Sequence, residues 1–79
     1  MTRHSLEKRI SSDPKICGGK PCIKGSRVPV HIILEALATG MSFEEVIKEF
    51  RPISLEDIQA CIYYAALLAD EQELTSQAA

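Results

Sequence analysis

The chain has 79 residues, 46% of them hydrophobic and 25% charged, with four glycines, four prolines and three cysteines. That is the size of one small domain and excludes a large multi-part enzyme; a chain so short buries only about 60–65% of its unfolded surface and gains from a partner subunit. The formal net charge of −2 hides an asymmetry, because residues 1–30 hold seven basic side chains against two acidic ones and residues 31–79 hold two against nine. A basic N-terminal stretch on an acidic body suits an anionic partner, self-association or both. The opening residues lack the apolar core of a secretory leader, and the longest apolar run, residues 61–69, is far short of a membrane span. One soluble, cytoplasmic domain over residues 1–79 is expected, with reduced thiols.

Up to Val30 the chain alternates turn-formers with short β-type pieces. Ser11-Ser12-Asp13-Pro14, Gly18-Gly19-Lys20-Pro21 and Gly25-Ser26 separate Arg9-Ile10, Ile16-Cys17, Cys22-Ile23 and Arg27-Val28. The pieces predict a basic β/turn arm over residues 1–29, with at most one or two two-stranded ladders completed by a second subunit.

From Val30 the period becomes helical. Pro29 suits a helix entry, Ile33, Leu34 and Leu37 share a face, and Gly40 supplies a left-handed stop, which predicts a first helix over 30–39. Ser42 with Glu45 forms a capping-box pattern, and Phe43, Val46, Ile47 and Phe50 fall at the spacing of a buried helical stripe. Pro52 ends that second helix at Arg51. Ser54 with Asp57 caps a third, running to about Gln72, whose inner stripe is read as Leu55, Ile58, Ile62, Ala65 and Ala69. A polar, frayed tail follows from Glu73. The expected fold is therefore mainly α: a three-helix, helix-turn-helix-like bundle over residues 30–72 with a short N-terminal β/turn arm.

Tyr63, Leu67 and Leu68 lie off that inner stripe. Either the N-terminal segments fold over them or a second copy does, and the size of the chain favours a homodimer through the third helix, with these three residues at its interface.

Apolar residues at Val46, Phe50, Ile53, Ile58 and Ile62 are spaced as in a DNA-reading helix-turn-helix, with Arg51-Pro52 where a turn glycine usually stands. The second of these helices would begin with Glu56 and Asp57, which repel phosphate, and would offer Gln59 outward. Candidate nucleic-acid contacts are therefore Arg9, Lys15, Lys20, Lys24 and Arg27 on phosphates, with Gln59 on the helix. Arg27 has an alternative reading as a brace that bonds carbonyls or an acidic side chain.

Other chemistries have little support. Cys17 and Cys22 form a Cys-x4-Cys pair without a second pair, so a zinc site drawing on them with His31, His4 or Cys61 is not expected; Cys61 reads as a small core residue and the other two as half-buried turn neighbours. The glycines of Gly18-Gly19-Lys20 lack the spacing of a nucleotide-phosphate loop. His31 has no sequence-visible catalytic partner, and Glu44, Glu45 and Glu49 form an exposed helix face. No enzyme activity, metal or cofactor is expected.

The string from Ile10 to Val30, ISSDPKICGGKPCIKGSRVPV, followed by Ala38-Thr39-Gly40-Met41-Ser42-Phe43-Glu44-Glu45-Val46 and Leu55-Glu56-Asp57-Ile58, resembles the prokaryotic family called domain of unknown function 433. The likeness spans residues 8–69; Ser26 stands where threonine is common in the family, and Pro52 lies one place later than in its usual pattern. The family resembles winged or simple helix-turn-helix proteins, and its members are often encoded beside a small PIN-like ribonuclease-type protein. The resemblance implies an antitoxin that binds and neutralises such a toxin and represses its own operon through promoter DNA. The alternative is a stand-alone helix-turn-helix regulator of transcription.

Overall fold

The computed structural model describes residues 2–71, Glu71 by its backbone only; the expected tail from Glu73 and the expected helix end at Gln72 lie outside the described residues. The elements run α1 (Arg3–Glu7), β1 (Ile10–Ser11), a 3-10 turn (Cys17–Gly19), β2 (Cys22–Ile23), β3 (Val28–Pro29), α2 (Val30–Ala38), α3 (Phe43–Glu49) and α4 (Leu55–Glu71). The molecule is helix-rich with a small antiparallel sheet.

The N-terminal third holds two short ladders that share a strand. Its strands form one three-stranded antiparallel sheet in the order β1-β2-β3, within a single chain. Ile10 pairs with Ile23 and Cys22 with Pro29, so β2 is bonded on both sides and both its residues are buried. Two-residue strands persist here because the helices supply the hydrophobic face that an isolated hairpin lacks. Between β2 and β3 the chain reverses through Gly25 at φ +88° and Arg27 at φ +61°. Ser26 Oγ pins that turn, donating to the Ile23 carbonyl and accepting the Val28 N–H, each at 3.1 Å. Helix α1 was not foreseen. Thr2 caps it, its Oγ1 accepting the Ser5 N–H at 3.1 Å, and the helix packs along α4.

The later helices start and stop where local chemistry places them. Pro29 leads into α2, and at its other end the Gly40 N–H donates to the Leu37 carbonyl while the Met41 N–H donates to Ala36. This double bond pattern closes a helix through a left-handed residue, here Gly40 at φ +105°. At α3 the Ser42 Oγ accepts the Glu45 N–H at 3.1 Å and Glu45 returns by accepting the Ser42 N–H at 2.8 Å. Ser54 and Asp57 repeat the exchange at α4, with 3.3 Å for the Asp57 N–H to Ser54 Oγ and 2.9 Å for the Ser54 N–H to Asp57 Oδ2.

Helices α2, α3 and α4 pack pairwise around a core of Ile23, Val30, Ile33, Val46, Ile53, Ile58 and Cys61. Each isoleucine or valine fully withdrawn from water there stabilises the fold by about 1.5–3 kcal/mol. Val46, Ile53 and Ile58 meet in this core, as their spacing requires. Two apolar assignments are corrected. Phe43 is 41% exposed, so the inner face of α3 is carried by Val46, with Ile47 and Phe50 half-buried. The inward face of α4 is Asp57, Ile58, Ala60, Cys61 and the half-buried Tyr64, whereas Leu55 and Ile62 are 43% and 42% exposed. Asp57 can turn inward beside the buried Ile58, Ala60 and Cys61 because Arg9 and the Ser54 N–H meet its carboxylate there.

Candidate functional site

Three surfaces carry the residues of functional interest. The first is basic. Lys24 and Arg27 share a cleft of about 280 Å³ against the sheet, floored by Ile16, Cys22 and Ile23. Both are exposed, and the backbone places them: the Lys24 N–H donates to the Arg9 carbonyl at 2.8 Å, extending the β1–β2 ladder, and the Arg27 N–H donates to the Ile23 carbonyl at 3.2 Å. The Arg27 carbonyl accepts from the Cys17 thiol at 3.2 Å. Among the described residues the Arg27 guanidinium makes no hydrogen bond, so the bracing at this position is done by its main chain.

The remaining basic residues of the expected contact set are dispersed. Lys15 is exposed on an Asp13 turn, its N–H donating to Asp13 Oδ1 at 2.8 Å. Lys20 lies on the far side of Pro21, against α2 and α4. Arg9 points to the fold: its Nη1 donates to Asp57 Oδ1 at 3.1 Å, an ion pair joining the end of α1 to the start of α4. Asp57 is 9% exposed and both its oxygens are engaged, one by Arg9 and one by the Ser54 N–H. Gln59 is exposed on α4.

The second surface is a groove of about 410 Å³ between α2 and α4, with Leu34, Tyr64, Ala65 and Leu68 along it and Lys20 and His31 at its rim. The sequence marks Leu34 in the apolar stripe of α2, and Leu68 and Lys20 separately, but not Tyr64, whose signal is the helical phase of Cys61, Tyr64 and Leu68, three or four apart. On the opposite flank of α4 a second groove, about 230 Å³, runs between α1 and α4 beside Leu6, Tyr63 and Leu67. Here the N-terminal segment does fold over part of α4, leaving Tyr63 half-buried and Leu67 and Leu68 40% and 41% exposed.

The third surface is the outward side of α4. Leu55, Ile62 and Ala69 are seven apart and therefore share a helix face, all exposed, with Ala66 between them. A helix with apolar residues inward, outward and at its far end is one that the described residues do not fully cover.

The three cysteines are free: Cys22 and Cys61 are buried and Cys17 is half-buried. Burial, reinforced by the neighbouring Cys17 thiol, pushes the Cys22 thiol up from its ordinary value, with the charge of Arg27 acting the other way. Burial, with a smaller contribution from the Asp57 charge, pushes Cys61 up to about 12. Both are thereby held as neutral thiols at physiological pH, which fits packing and not nucleophilic chemistry. Among the described residues no group of three or more His, Cys, Asp or Glu converges as a metal site, and no helix is long and apolar enough to cross a membrane.

The model of the family described as protein of unknown function (DUF433) matches residues 10–65. The chain belongs to the DUF433 family. The matched span begins at β1 and ends within α4, so the sheet, α2, α3 and the Asp57 cap belong to the family unit, while Leu67 and Leu68 lie beyond it. The chain is also similar to the uncharacterized protein y4eO of Sinorhizobium fredii, 34% identical over 56 residues that make up 71% of this chain and 25% of that relative. It thus spans about a quarter of the length of the curated relative it matches. No solved structure matches the chain.

Proposed function

We propose that this DUF433 protein is a binding module of antitoxin type: a cytoplasmic homodimer that captures and neutralises a PIN-like ribonuclease-type protein. One observation carries the reading. Helix α4 keeps Leu55, Ile62, Leu67 and Leu68 each at least 40% exposed, and a small chain with apolar residues on several sides of its longest helix is built to be covered by protein. Tyr63, Leu67 and Leu68 serve self-association, and the outward Leu55 and Ile62 face serves the second protein. Lys24 and Arg27, side by side on the basic cleft, suit the acidic, metal-dependent site of such a ribonuclease. The packing of α3 against α4 through Val46, Ile53 and Ile58 supports a helix-turn-helix-like bundle within this module. The test is co-expression of the tagged chain with the products of its neighbouring genes. A stoichiometric PIN-like partner, with ribonuclease activity suppressed in the complex, is the expected result; a homodimer that recovers no partner overturns the reading.

The exposure of Lys15, Lys20, Lys24 and Arg27 favours a second activity, autorepression through promoter DNA, which alone would make the protein a stand-alone regulator. Arg9 contributes less than these, being tied to Asp57. Binding to the promoter should weaken steeply with salt, and Lys24→Ala with Arg27→Ala, which share the basic cleft, should flatten the slope by about two counterions per subunit. Absence of binding at low salt refutes this second activity.

A further inference from the structure

We infer that the groove between α2 and α4 is filled by the distal end of α4 from a second copy of the chain. This rests on the dimer reading above and names its contact. The groove is apolar along Leu34, Tyr64, Ala65 and Leu68, and its rim carries Lys20 and His31; among the described residues no acidic side chain lines it. It also opens beside the first turn of α2, where Val30 and His31 lie and where the helix dipole favours negative charge. Its occupant must therefore be an apolar segment that carries acid.

The chain itself supplies that chemistry. After Ala66 it reads Leu67, Leu68, Ala69, Asp70 and Glu71, two exposed leucines followed by two acids. Leu68 belongs both to the groove and to the entering segment, so one contact implies its mirror: each Leu68 enters the partner's groove while receiving the partner's own. That is the self-complementary arrangement a two-fold axis requires. Lys20 of each copy then faces the acidic end of the other α4, matching the basic N-terminal third of one molecule to the acidic helical body of its neighbour.

The test is sedimentation equilibrium of the full chain over a micromolar concentration series, with circular dichroism as a control of folding. Wild type should sediment as a dimer. Leu68→Glu, at an exposed position, should give a folded monomer. Lys20→Glu should weaken the dimer by about tenfold or more, and adding Asp70→Lys with Glu71→Lys to the same chain should restore most of the loss. A dimer indifferent to Leu68→Glu, or a Lys20→Glu defect that the acid reversals do not mend, overturns the groove assignment while leaving the dimer itself standing. A monomer at every concentration overturns both, and recovery of the toxin-like partner in co-expression is read independently of either.

Discussion

Replacing Asp57 by alanine tests whether the polar junction of α1, β1 and α4 holds the fold together. The side chain does two things at once: Oδ2 accepts the Ser54 N–H at 2.9 Å, and Oδ1 accepts Arg9 at 3.1 Å. Losing the bond at the helix start costs about 1 kcal/mol, and losing negative charge from the first turn about 0.3–1 kcal/mol more. A fully buried pair broken on one side would add several kcal/mol, but the Arg9 side chain is 38% exposed and water re-solvates it, which reduces this contribution to about 1 kcal/mol. The sum, about 2–3 kcal/mol, is a large part of the about 4–12 kcal/mol expected of a chain this size and corresponds to a fall in Tm of about 10–20 °C. Urea titration followed by circular dichroism, at one fixed protein concentration because dimerisation would add to stability, measures it. Arg9→Ala and the double variant complete a cycle whose expected coupling is about 1 kcal/mol. A loss below about 0.5 kcal/mol for Asp57→Ala, or strict additivity in the cycle, would show that the junction is incidental.

Other perturbations follow from the same structure. Ser42→Ala removes one half of the α3 capping box and should cost about 1 kcal/mol in the same titration; an unchanged midpoint would mean that α3 is held by packing alone. Cys61 is raised from 9.0 to about 12 in the folded protein, so between those values the unfolded chain loses its thiol proton and the folded one keeps it. Stability from this site is therefore intact below pH 9 and declines as pH rises toward 12, which urea midpoints across that window would register; a flat profile in comparison with Cys61→Ala refutes it. Finally, Ile62→Glu on the outward face should abolish recovery of a toxin-like partner while leaving the dimer mass unchanged, and the reverse pattern would exchange the two assignments.

The parts of the fold legible in the sequence are those decided by a few neighbouring residues. Ser42 with Glu45, Ser54 with Asp57, and Gly40 after Ala38 mark helix ends through hydrogen bonds spanning three to five residues. The sheet was less legible because two-residue strands have no periodicity to detect, and which piece pairs with which depends on contacts such as Ile10 with Ile23, thirteen residues apart. Helix α1 offered only Thr2 and Ser5 as a local signal within five helical residues, and its position is secured by α4, far along the chain. The basic candidates illustrate the same limit. Charge marks Arg9 and Arg27 alike, but only the tertiary structure gives Arg9 a carboxylate 48 positions away and leaves the Arg27 guanidinium on an open cleft.

Helix α4 shows why the phase of an amphipathic helix is a decision about partners. The stripe Leu55, Ile58, Ile62, Ala65 and Ala69 is the more apolar choice for an inner face, yet of it only Ile58 is buried and Ala65 half-buried, while Asp57, Ala60, Cys61 and Tyr64 also turn toward the body. Burying Asp57 without a partner would cost several kcal/mol, so the inward choice depends on Arg9 and the Ser54 N–H being there to receive it. With Ile58, Ala60 and Cys61 packed inward beside that pair, Leu55 and Ile62 are left exposed, and so are Leu67 and Leu68 toward the far end of the helix. The exposed faces on which the proposed partners dock thus follow from this apolar packing together with the Arg9–Asp57 pair. Weakening Arg9–Asp57 should loosen not only the fold but also the alignment of both proposed binding surfaces on α4, although Arg9 itself touches neither.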